Sequence, residues 1–271
     1  MKTTVLLSIL TTGCNHLFYH PDNRIYSDPQ EWAVKFSQYQ VTTPDNEQLE
    51  VWQLDPLTAP PKATIVHFHG NAQNRTSHIF FSSWLAQHQY RLIIFDYRGY
   101  GGSTGQANRE GLVLDGVSIL NHIKSLDQHP IFIFGQSLGG AVAYSSVGKL
   151  LNHSRIKALI LESTFGSYRR IARRKLASFW LTWPFQYPLS FLITDNESPE
   201  DYLAHIQIPI LMIHGDQDPV IPIEEGKEFF NKLPNSNKNW WEITGGQHTP
   251  TFGSEKSPYR RKLLNYLESH L

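Results

Sequence analysis

The sequence predicts an α/β fold with a mainly parallel central sheet and helices on both faces. Short apolar runs rich in β-branched and aromatic residues alternate with longer segments whose apolar residues recur at helical spacing. Such alternation is typical of βαβ units and therefore of a parallel sheet. A Gly-x-Ser-x-Gly pattern at residues 135–139 separates one apolar run from a small-residue helical pattern. That placement fits the tight strand-to-helix turn of an α/β domain.

The predicted elements follow this rhythm along the chain. Residues 36–41 and 49–54 alternate around a Pro-Asp-Asn turn, which predicts a hairpin that adds an antiparallel edge to the sheet. Apolar runs predict strands at 63–68, 91–96, 131–134, 156–161, 208–213 and 240–243. Helical spacing predicts helices at 78–89, 110–126, from 140 to about 151, at 226–233 (the end of a helix) and at 259–271. Residues 15–36 are mixed and aromatic, and we expect a tether or an edge that packs on the domain.

Length and composition fit one domain and exclude several classes of protein. The chain has 271 residues, of which 40% are hydrophobic, enough for one large core. Lys+Arg and Asp+Glu are equal at 24 each, so no global basic field would attract nucleic acid. No apolar run reaches the roughly 18 residues of a spanning helix. We therefore expect no nucleic-acid partner and no fold that crosses the bilayer, while the oligomeric state stays open.

The N-terminus is built like a short secretory signal. A positive start at residues 1–2 precedes an apolar stretch at 5–10 and small residues that lead to Cys14, the one cysteine of the chain. This arrangement resembles a bacterial lipoprotein signal, although Thr11 stands where that family usually has leucine. The resemblance implies cleavage after Gly13, lipidation of Cys14 and, from Asn15, no retention at an inner membrane.

This interpretation divides the chain in two. Residues 1–14 would be the signal ending at Cys14, and residues 15–271 a single domain. The protein would be lipid-anchored in the bacterial cell envelope, at the outer membrane or the periplasmic face. The alternative is an ordinary N-terminal segment with a free or buried thiol in a cytoplasmic protein.

The Gly-x-Ser-x-Gly pattern carries the first chemical prediction. Strand, turn and helix in this order make a nucleophile elbow, which presents Ser137 from a strained backbone at the carboxyl end of the sheet. A serine hydroxyl is a weak nucleophile and needs a base, which in turn needs a carboxylate to orient it. By itself the pattern also suits a Gly/Ser loop without chemistry.

Further blocks follow in a fixed order over about residues 45–270. They are His69-Gly70-Asn71-Ala72, Asp96-Tyr97-Arg98-Gly99-Tyr100-Gly101, Gly135-Gln136-Ser137-Leu138-Gly139-Gly140, His214-Gly215-Asp216-Gln217-Asp218-Pro219-Val220-Ile221-Pro222 and Gly245-Gly246-Gln247-His248. Together they resemble the serine hydrolases of the α/β-hydrolase fold, in particular the small esterase and serine-aminopeptidase-like branch. The resemblance implies that fold and a catalytic triad in the chain order Ser, Asp, His.

The triad is predicted to be Ser137, Asp218 and His248. His248 lies in a glycine loop after the last strand, where a base from the C-terminal part would emerge. Asp216 and Asp218 both follow a strand, and the pattern His-Gly-x-x-Asp-x-x-Val/Ile-Pro of the resemblance falls on Asp218. Asp216 would then form a turn by bonding nearby backbone.

The oxyanion of the tetrahedral intermediate needs two preorganised donors. One is predicted to be the backbone N–H of Leu138, directly after the nucleophile at a helix N-terminus. The other is expected from the loop after strand 63–68, and we assign the backbone N–H of Asn71.

Two other patterns receive structural interpretations. His67 and His69 share one face of a strand and so have the spacing of metal ligands, but residues 70–74 add no Asp or His. We expect His69 to shape the oxyanion loop, His67 to be packed or hydrogen-bonded, and no metal or cofactor. Arg98 is expected to hold neighbouring loops by a salt bridge rather than to contact substrate. The nearby glycines lack a dinucleotide fingerprint.

One segment breaks the alternation of strands and helices. Residues 165–204 exceed an ordinary crossover, and insertions of this length are usually functional. A basic cluster is followed there by an aromatic one: Arg169, Arg170, Arg173, Arg174, Lys175, Phe179, Trp180, Trp183, Phe185, Tyr187 and Phe191. We expect a helical cap over the active site. Its basic face is either solvated above an apolar packing surface or in contact with anionic headgroups and fatty chains.

The sequence thus predicts a cap-bearing serine hydrolase that forms an acyl-enzyme on Ser137. An ester or thioester with an apolar acyl group is the expected substrate, and the aromatic cap is the feature that favours it. Peptidase or amidase activity is the nearest alternative, and a cofactor-free haloperoxidase or perhydrolase would use the same triad. The alternative from another class is a non-catalytic surface lipoprotein that keeps the fold as a binding module.

Overall fold

A computed structural model describes residues 18–29, 32, 34–126, 128–177 and 180–271. Ten strands occur in this part of the chain. In order they are β1 (His20–Pro21), β2 (Lys35–Thr42), β3 (Gln48–Asp55), β4 (Ala63–Phe68), β5 (Ala72–Gln73), β6 (Tyr90–Phe95), β7 (Ile131–Gln136), β8 (Ile156–Glu162), β9 (Ile210–Gly215) and β10 (Lys238–Ile243). Cys14 and the predicted signal lie outside the described residues, as does Phe179.

Eight strands form one sheet in the order β10-β9-β8-β7-β4-β6-β3-β2. The six strands from β10 to β6 are parallel, and each of β4, β7 and β9 is buried along its whole length because helices cover both faces. β2 and β3 form the antiparallel hairpin that the alternating pattern predicts. The prediction of an α/β fold with a mainly parallel sheet is therefore confirmed.

Seven α-helices are described. They are α1 (Arg75–His78), α2 (Arg109–Leu126), α3 (Leu138–Gly148), α4 (Tyr168–Ala177), α5 (Gln186–Phe191), α6 (Ile223–Lys232) and α7 (Pro258–Glu268). None of the helices in the described residues is both long and apolar enough to cross a membrane.

The sheet separates two hydrophobic cores. Alternate residues of a strand point to opposite faces, so Val66 of β4 belongs to one core and its neighbour Ile65 to the other. The first core contains the apolar residues of α2 and α3, and the second contains those of α7 and of the segment around Trp84. Covering both faces fixes the sheet and leaves its carboxyl edge for the loops that carry the site.

The prediction of one helix at 78–89 is wrong, because short turns of two different kinds form there instead. The chain forms the short α1 and then two 3-10 turns at Ile79–Phe81 and Ser83–His88, and it ends at Gln89 in a left-handed conformation. Aromatic and serine residues in this stretch favour an α-helix weakly. Ser82 is instead fully buried and contacts the His67 ring, which fixes the break between the turns.

The N-terminal described segment packs on the domain as an edge. β1 pairs in parallel with β5 in a separate two-stranded sheet directly after β4. The Asp22 carbonyl accepts from the Gly101 N–H, and the Asn74 amide donates to the Asp22 carboxylate. The segment therefore lies across the loops at the carboxyl edge of the sheet.

The long connection between β8 and β9 contains α4, a 3-10 turn at Trp183–Phe185, α5 and a 3-10 turn at Pro199–His205. Its first helix is tied to α6, because both Arg170 and Arg174 bond to the fully buried carboxylate of Glu225. Both arginines thus bond to the domain, Arg170 as a buried side chain and Arg174 as one that is still 38% exposed. The apolar residues beyond α4 are exposed, with Trp180 78% and Leu192 79% accessible.

Candidate active site

Ser137 occupies a strained turn between β7 and α3. Its φ of 54° and ψ of −121° lie in a region that residues with a side chain rarely adopt. Its N–H donates to the Glu162 carbonyl at 2.8 Å, and its own carbonyl accepts from Thr164 Oγ1 at 2.8 Å and from the Gly140 N–H at 3.0 Å. These hydrogen bonds compensate the strain and fix the direction of the serine side chain.

Glycine is required at both ends of this turn. A Cβ on Gly139 would collide with the carbonyl oxygens of Phe68 and His69 at the end of β4. A Cβ on Gly135 would lie 2.7 Å from the Cα of Gly140 in the following helix. The elbow can therefore form only because strand and helix approach without side chains between them.

His248 and Asp218 meet in the loops after β10 and β9. His248 Nδ1 lies 2.8 Å from Asp218 Oδ2, and the imidazole is 20% exposed while the carboxylate is buried. The other oxygen, Oδ1, accepts from the N–H groups of Val220 at 2.8 Å and Ile221 at 2.9 Å. Burial raises the pKa of Asp218, but the hydrogen bond and charge of His248 and the backbone donors outweigh it and leave that pKa below its usual value.

Asp216 has a different partner. Its Oδ1 accepts from the Gly245 N–H at 2.7 Å, where Gly245 has a positive φ of 68° in the turn before His248. Of the two candidate carboxylates, Asp218 is thus hydrogen-bonded to the imidazole and Asp216 shapes the turn that carries it.

The loop after β4 lies beside Ser137. A Cβ on Gly70 would be 3.7 Å from the Cβ of Ser137. The next residue, Asn71, therefore begins close to the serine. The Asn71 side chain is engaged elsewhere, because its Oδ1 accepts from Tyr100 Oη at 2.9 Å and its Nδ2 donates to the Phe18 carbonyl at 2.6 Å. The N–H of Leu138 begins α3, where the first amides have no partner within the helix. Both predicted oxyanion donors therefore belong to segments that adjoin Ser137.

His67 of β4 and His69, which directly follows that strand, have hydrogen-bond and ring partners. Both ring nitrogens of His67 are occupied, Nδ1 by Ser82 Oγ at 2.8 Å and Nε2 by Gln136 Oε1 at 3.0 Å. His69 Nδ1 lies 2.8 Å from the Gly70 carbonyl, and its ring stacks on that of His78. In the described part of the chain, no three His, Cys, Asp or Glu side chains are grouped as metal ligands would be.

The loop after β6 is held by buried ion pairs. Arg98 binds Asp115 and Asp45, and the Arg98 guanidinium is 7% exposed. Asp96 binds Arg75 and lies 3.5 Å from the His69 ring, and burial raises the pKa of Asp96 to about 6. These contacts hold the loop that supports Asn71 through Tyr100.

Two residues that contact the elbow were not predicted from the sequence. Glu162 and Thr164 contact the turn from the end of β8, and Glu162 is fully buried. The signal was present, because a polar run that follows an apolar strand at the carboxyl edge of a parallel sheet points into the site.

Sheet order, elbow and the His–Asp pair together define an α/β-hydrolase. The family model described as serine aminopeptidase, S33 matches residues 59–202. The chain belongs to this hydrolase family, and the protein is a hydrolase of the α/β-hydrolase fold.

Relatives and solved structures agree with this assignment. Escherichia coli O157:H7 YfhR is 32% identical over 264 residues, covering 94% of this chain and 88% of that protein. Mouse lysophosphatidylserine lipase ABHD12 is 31% identical over 192 residues, covering 67% of this chain and 48% of that protein. The Pyrococcus furiosus esterase Pf2001 shares the fold with a TM-score of 0.76 at 21% identity, covering 93% of this chain and 98% of that one.

Proposed function

We propose that the protein is a serine hydrolase that cleaves an ester or thioester through an acyl-enzyme on Ser137. The observation that carries this proposal is the combination of a serine on a strained elbow with a His248–Asp218 pair bonded at 2.8 Å. The elbow and the histidine loop also touch, since Gln136 Nε2 lies 3.4 Å from the Thr249 carbonyl.

The steps follow from these groups. His248 Nε2 takes the proton of the Ser137 hydroxyl as Oγ attacks the carbonyl carbon, and the N–H groups of Leu138 and Asn71 stabilise the oxyanion. The imidazolium, held by Asp218, then protonates the departing alkoxide or thiolate, which leaves the acyl group on Ser137. Water, deprotonated by His248, attacks this acyl-enzyme, releases the carboxylic acid and restores the hydroxyl.

An apolar acyl group is the proposed substrate feature. The mouse relative is named as a lipase of a lysophospholipid, and the exposed aromatic part of the cap suits an apolar ligand or surface. Peptide or amide cleavage is the second candidate, which the name of the family favours.

Turnover of matched substrates tests the proposal. We expect p-nitrophenyl butyrate or octanoate to be hydrolysed by the wild type and not by Ser137→Ala, with thioesters next and aminoacyl p-nitroanilides far slower. Faster cleavage of the anilides would favour the peptidase. No turnover of any of them by a folded protein would favour the non-catalytic binding module.

We further propose that the cap meets a lipid surface in the cell envelope and that Cys14 is lipidated. Large apolar side chains are exposed along residues 180–192: Trp180, Leu181, Trp183, Phe185, Tyr187, Leu189, Phe191 and Leu192. Arginines lie over two of these rings, Arg173 5.3 Å from Tyr187 and Arg169 5.8 Å from Phe191. An aromatic surface edged by arginine suits the interface of an anionic membrane.

Vesicle binding by the chain that begins at residue 15 tests the cap. We expect binding to phosphatidylglycerol vesicles that Phe191→Ser weakens, while Leu151→Ser, which changes an exposed leucine outside the cap, does not. Binding that does not depend on the presence of anionic lipid would contradict the proposal. For the full chain, loss of lipid labelling in Cys14→Ala is the expected result, and labelling that persists would refute lipidation of Cys14.

A further inference from the structure

Four buried polar side chains form one hydrogen-bonded chain beneath the elbow. Ser82, His67, Gln136 and Glu162 are all fully buried. Ser82 Oγ lies 2.8 Å from His67 Nδ1, His67 Nε2 lies 3.0 Å from Gln136 Oε1, and Gln136 Nε2 donates to Glu162 Oε2 at 2.7 Å. This series of hydrogen bonds therefore runs beneath the sheet edge from the segment after α1 to the end of β8.

The hydrogen bonds of this chain point in one direction. Because Gln136 donates its amide to Glu162, its Oε1 must accept from His67 Nε2–H, and His67 Nδ1 then accepts from the Ser82 hydroxyl. A neutral His67 is required, and burial lowers the pKa of that histidine to about 3. Every donor in the chain is thus directed towards the carboxylate of Glu162.

The carboxylate also reaches the loop that carries the base. Glu162 Oε1 accepts from the Thr251 N–H at 3.1 Å, and Gln136 Nε2 is 3.4 Å from the Thr249 carbonyl. Gln136 directly precedes Ser137, and Thr249 directly follows His248. Glu162 and Gln136 therefore join the two segments that present the nucleophile and the imidazole.

Burying a carboxylate here is costly, because no arginine or lysine among the described residues forms an ion pair with Glu162. Neutral donors satisfy it instead, namely the Gln136 amide and the backbone and side chain of Thr251. An apolar residue would fill the same space at lower cost, but it could not bond the Thr251 amide and the Gln136 side chain at once. Burial raises the pKa of Glu162, while its bonds to these two partners favour the carboxylate and oppose that shift.

We propose that Glu162 and Gln136 are positioning residues that hold the Ser137 elbow and the His248 loop in register for proton transfer. The proposal rests on the triad proposed above. It predicts an effect on the chemical step and not on substrate binding, because neither side chain is accessible to a ligand. A displacement of about 1 Å between reacting groups costs on the order of a hundredfold in rate.

Kinetics of Glu162→Ala and Gln136→Ala test the proposal on the full-length protein. We expect kcat per folded molecule to fall by about 30- to 100-fold in both variants, while KM changes by less than about threefold. The matched control is Asn235→Ala. Asn235 is also buried, and its amide bonds the carbonyls of Ile206 and Ile208. These carbonyls precede the amino end of β9, away from the carboxyl edge that carries the site. Its loss is expected to lower stability and leave kcat unchanged.

The conservative variant Glu162→Gln separates geometry from charge. The introduced amide can accept from Thr251 with its oxygen and donate to Gln136, whose own amide flips and donates to His67. His67 then carries its proton on Nδ1 and donates to Ser82. The link through residue 162 to the Thr251 amide survives without charge, and only the 3.4 Å contact of Gln136 with the Thr249 carbonyl is lost. We expect kcat within about threefold of the wild type. A loss as large as that of Glu162→Ala would overturn the positional role in favour of the charge.

Hydrogen–deuterium exchange gives a readout that does not depend on turnover. Glu162→Ala and Gln136→Ala are expected to accelerate exchange at residues 248–252, while Asn235→Ala does not. Unchanged exchange and unchanged kcat would refute the proposal. An inactive wild type with accelerated exchange in the variants would instead refute the proposed chemistry and keep the structural connection, so the two failures are distinguishable.

Discussion

Replacing Asp218 by asparagine is the perturbation whose outcome the structure defines most sharply. The Oδ1 atom of Asp218 is held by the N–H groups of Val220 and Ile221, so the oxygen of an introduced amide must stay on that side. Its NH₂ group then faces His248 Nδ1, which can no longer be a donor and must accept. The imidazole proton moves to Nε2, the atom that accepts the proton of Ser137 in the proposed mechanism.

The wrong tautomer of His248 determines how much activity Asp218→Asn loses. In triads of this kind the same exchange lowers kcat by about 10⁴-fold, which is about 5.4 kcal/mol in the activation barrier. We expect a loss of this order for Asp218→Asn with KM nearly unchanged, since the carboxylate is buried and does not face substrate. The assay is p-nitrophenyl butyrate hydrolysis, normalised to folded protein.

Asp216→Asn is the matched control. The introduced amide keeps an oxygen for the Gly245 N–H, so we expect kcat within about threefold of the wild type. The reasoning is refuted if Asp216→Asn abolishes turnover while Asp218→Asn leaves it largely intact.

Three further changes have defined outcomes. Gly139→Ala places a Cβ against backbone carbonyls and is expected to cost at least 1–3 kcal/mol of unfolding free energy and most of the turnover, whereas Gly253→Ala, with no atom nearer than 3.5 Å, changes little in thermal melts. His67 is neutral in the fold but protonates when unfolded below its ordinary pKa, so it should lower the unfolding free energy by about 2 kcal/mol between pH 7 and pH 5. Denaturant titrations of His67→Gln should lack that part of the loss, and an identical pH dependence would contradict it. Asn71→Ala is expected to cost less than about tenfold in kcat, because the side chain bonds Tyr100 and Phe18 and the proposed oxyanion donor is the backbone N–H. A loss above about a thousandfold would show side-chain participation.

The sequence specifies those parts of the fold whose cause is local. Apolar runs of β-branched and aromatic residues such as 131–134 predict buried parallel strands, and the glycines around Ser137 predict the elbow, because no other residue allows that approach. The strand boundaries differ from the predicted ones by at most two residues, and β4 begins and ends as predicted. Pairing with a neighbour extends β7 and β10 beyond their apolar residues.

Features that depend on tertiary contacts are different. The turns at residues 79–88 follow from a buried contact between Ser82 and His67, which no periodicity reveals. The sequence leaves the basic face of the cap either solvated above an apolar packing surface or in contact with lipid. It does not reveal the ion pairs of Arg170 and Arg174, because their partner Glu225 lies 55 and 51 positions further along the chain. The proposed positioning role of Glu162 likewise depends on its hydrogen bond with the Thr251 amide, which is 89 positions away in the sequence.

Covalent labelling by a fluorophosphonate probe, with Ser137→Ala beside the wild type, tests the central claim most directly. We expect the wild type to gain one probe mass, mapped to the peptide that contains Ser137, and the variant to gain none. Labelling requires a serine activated by its base, so it reports the elbow and the His248–Asp218 pair together. A folded wild type that takes up no probe, or that takes it up equally in Ser137→Ala, would contradict the account.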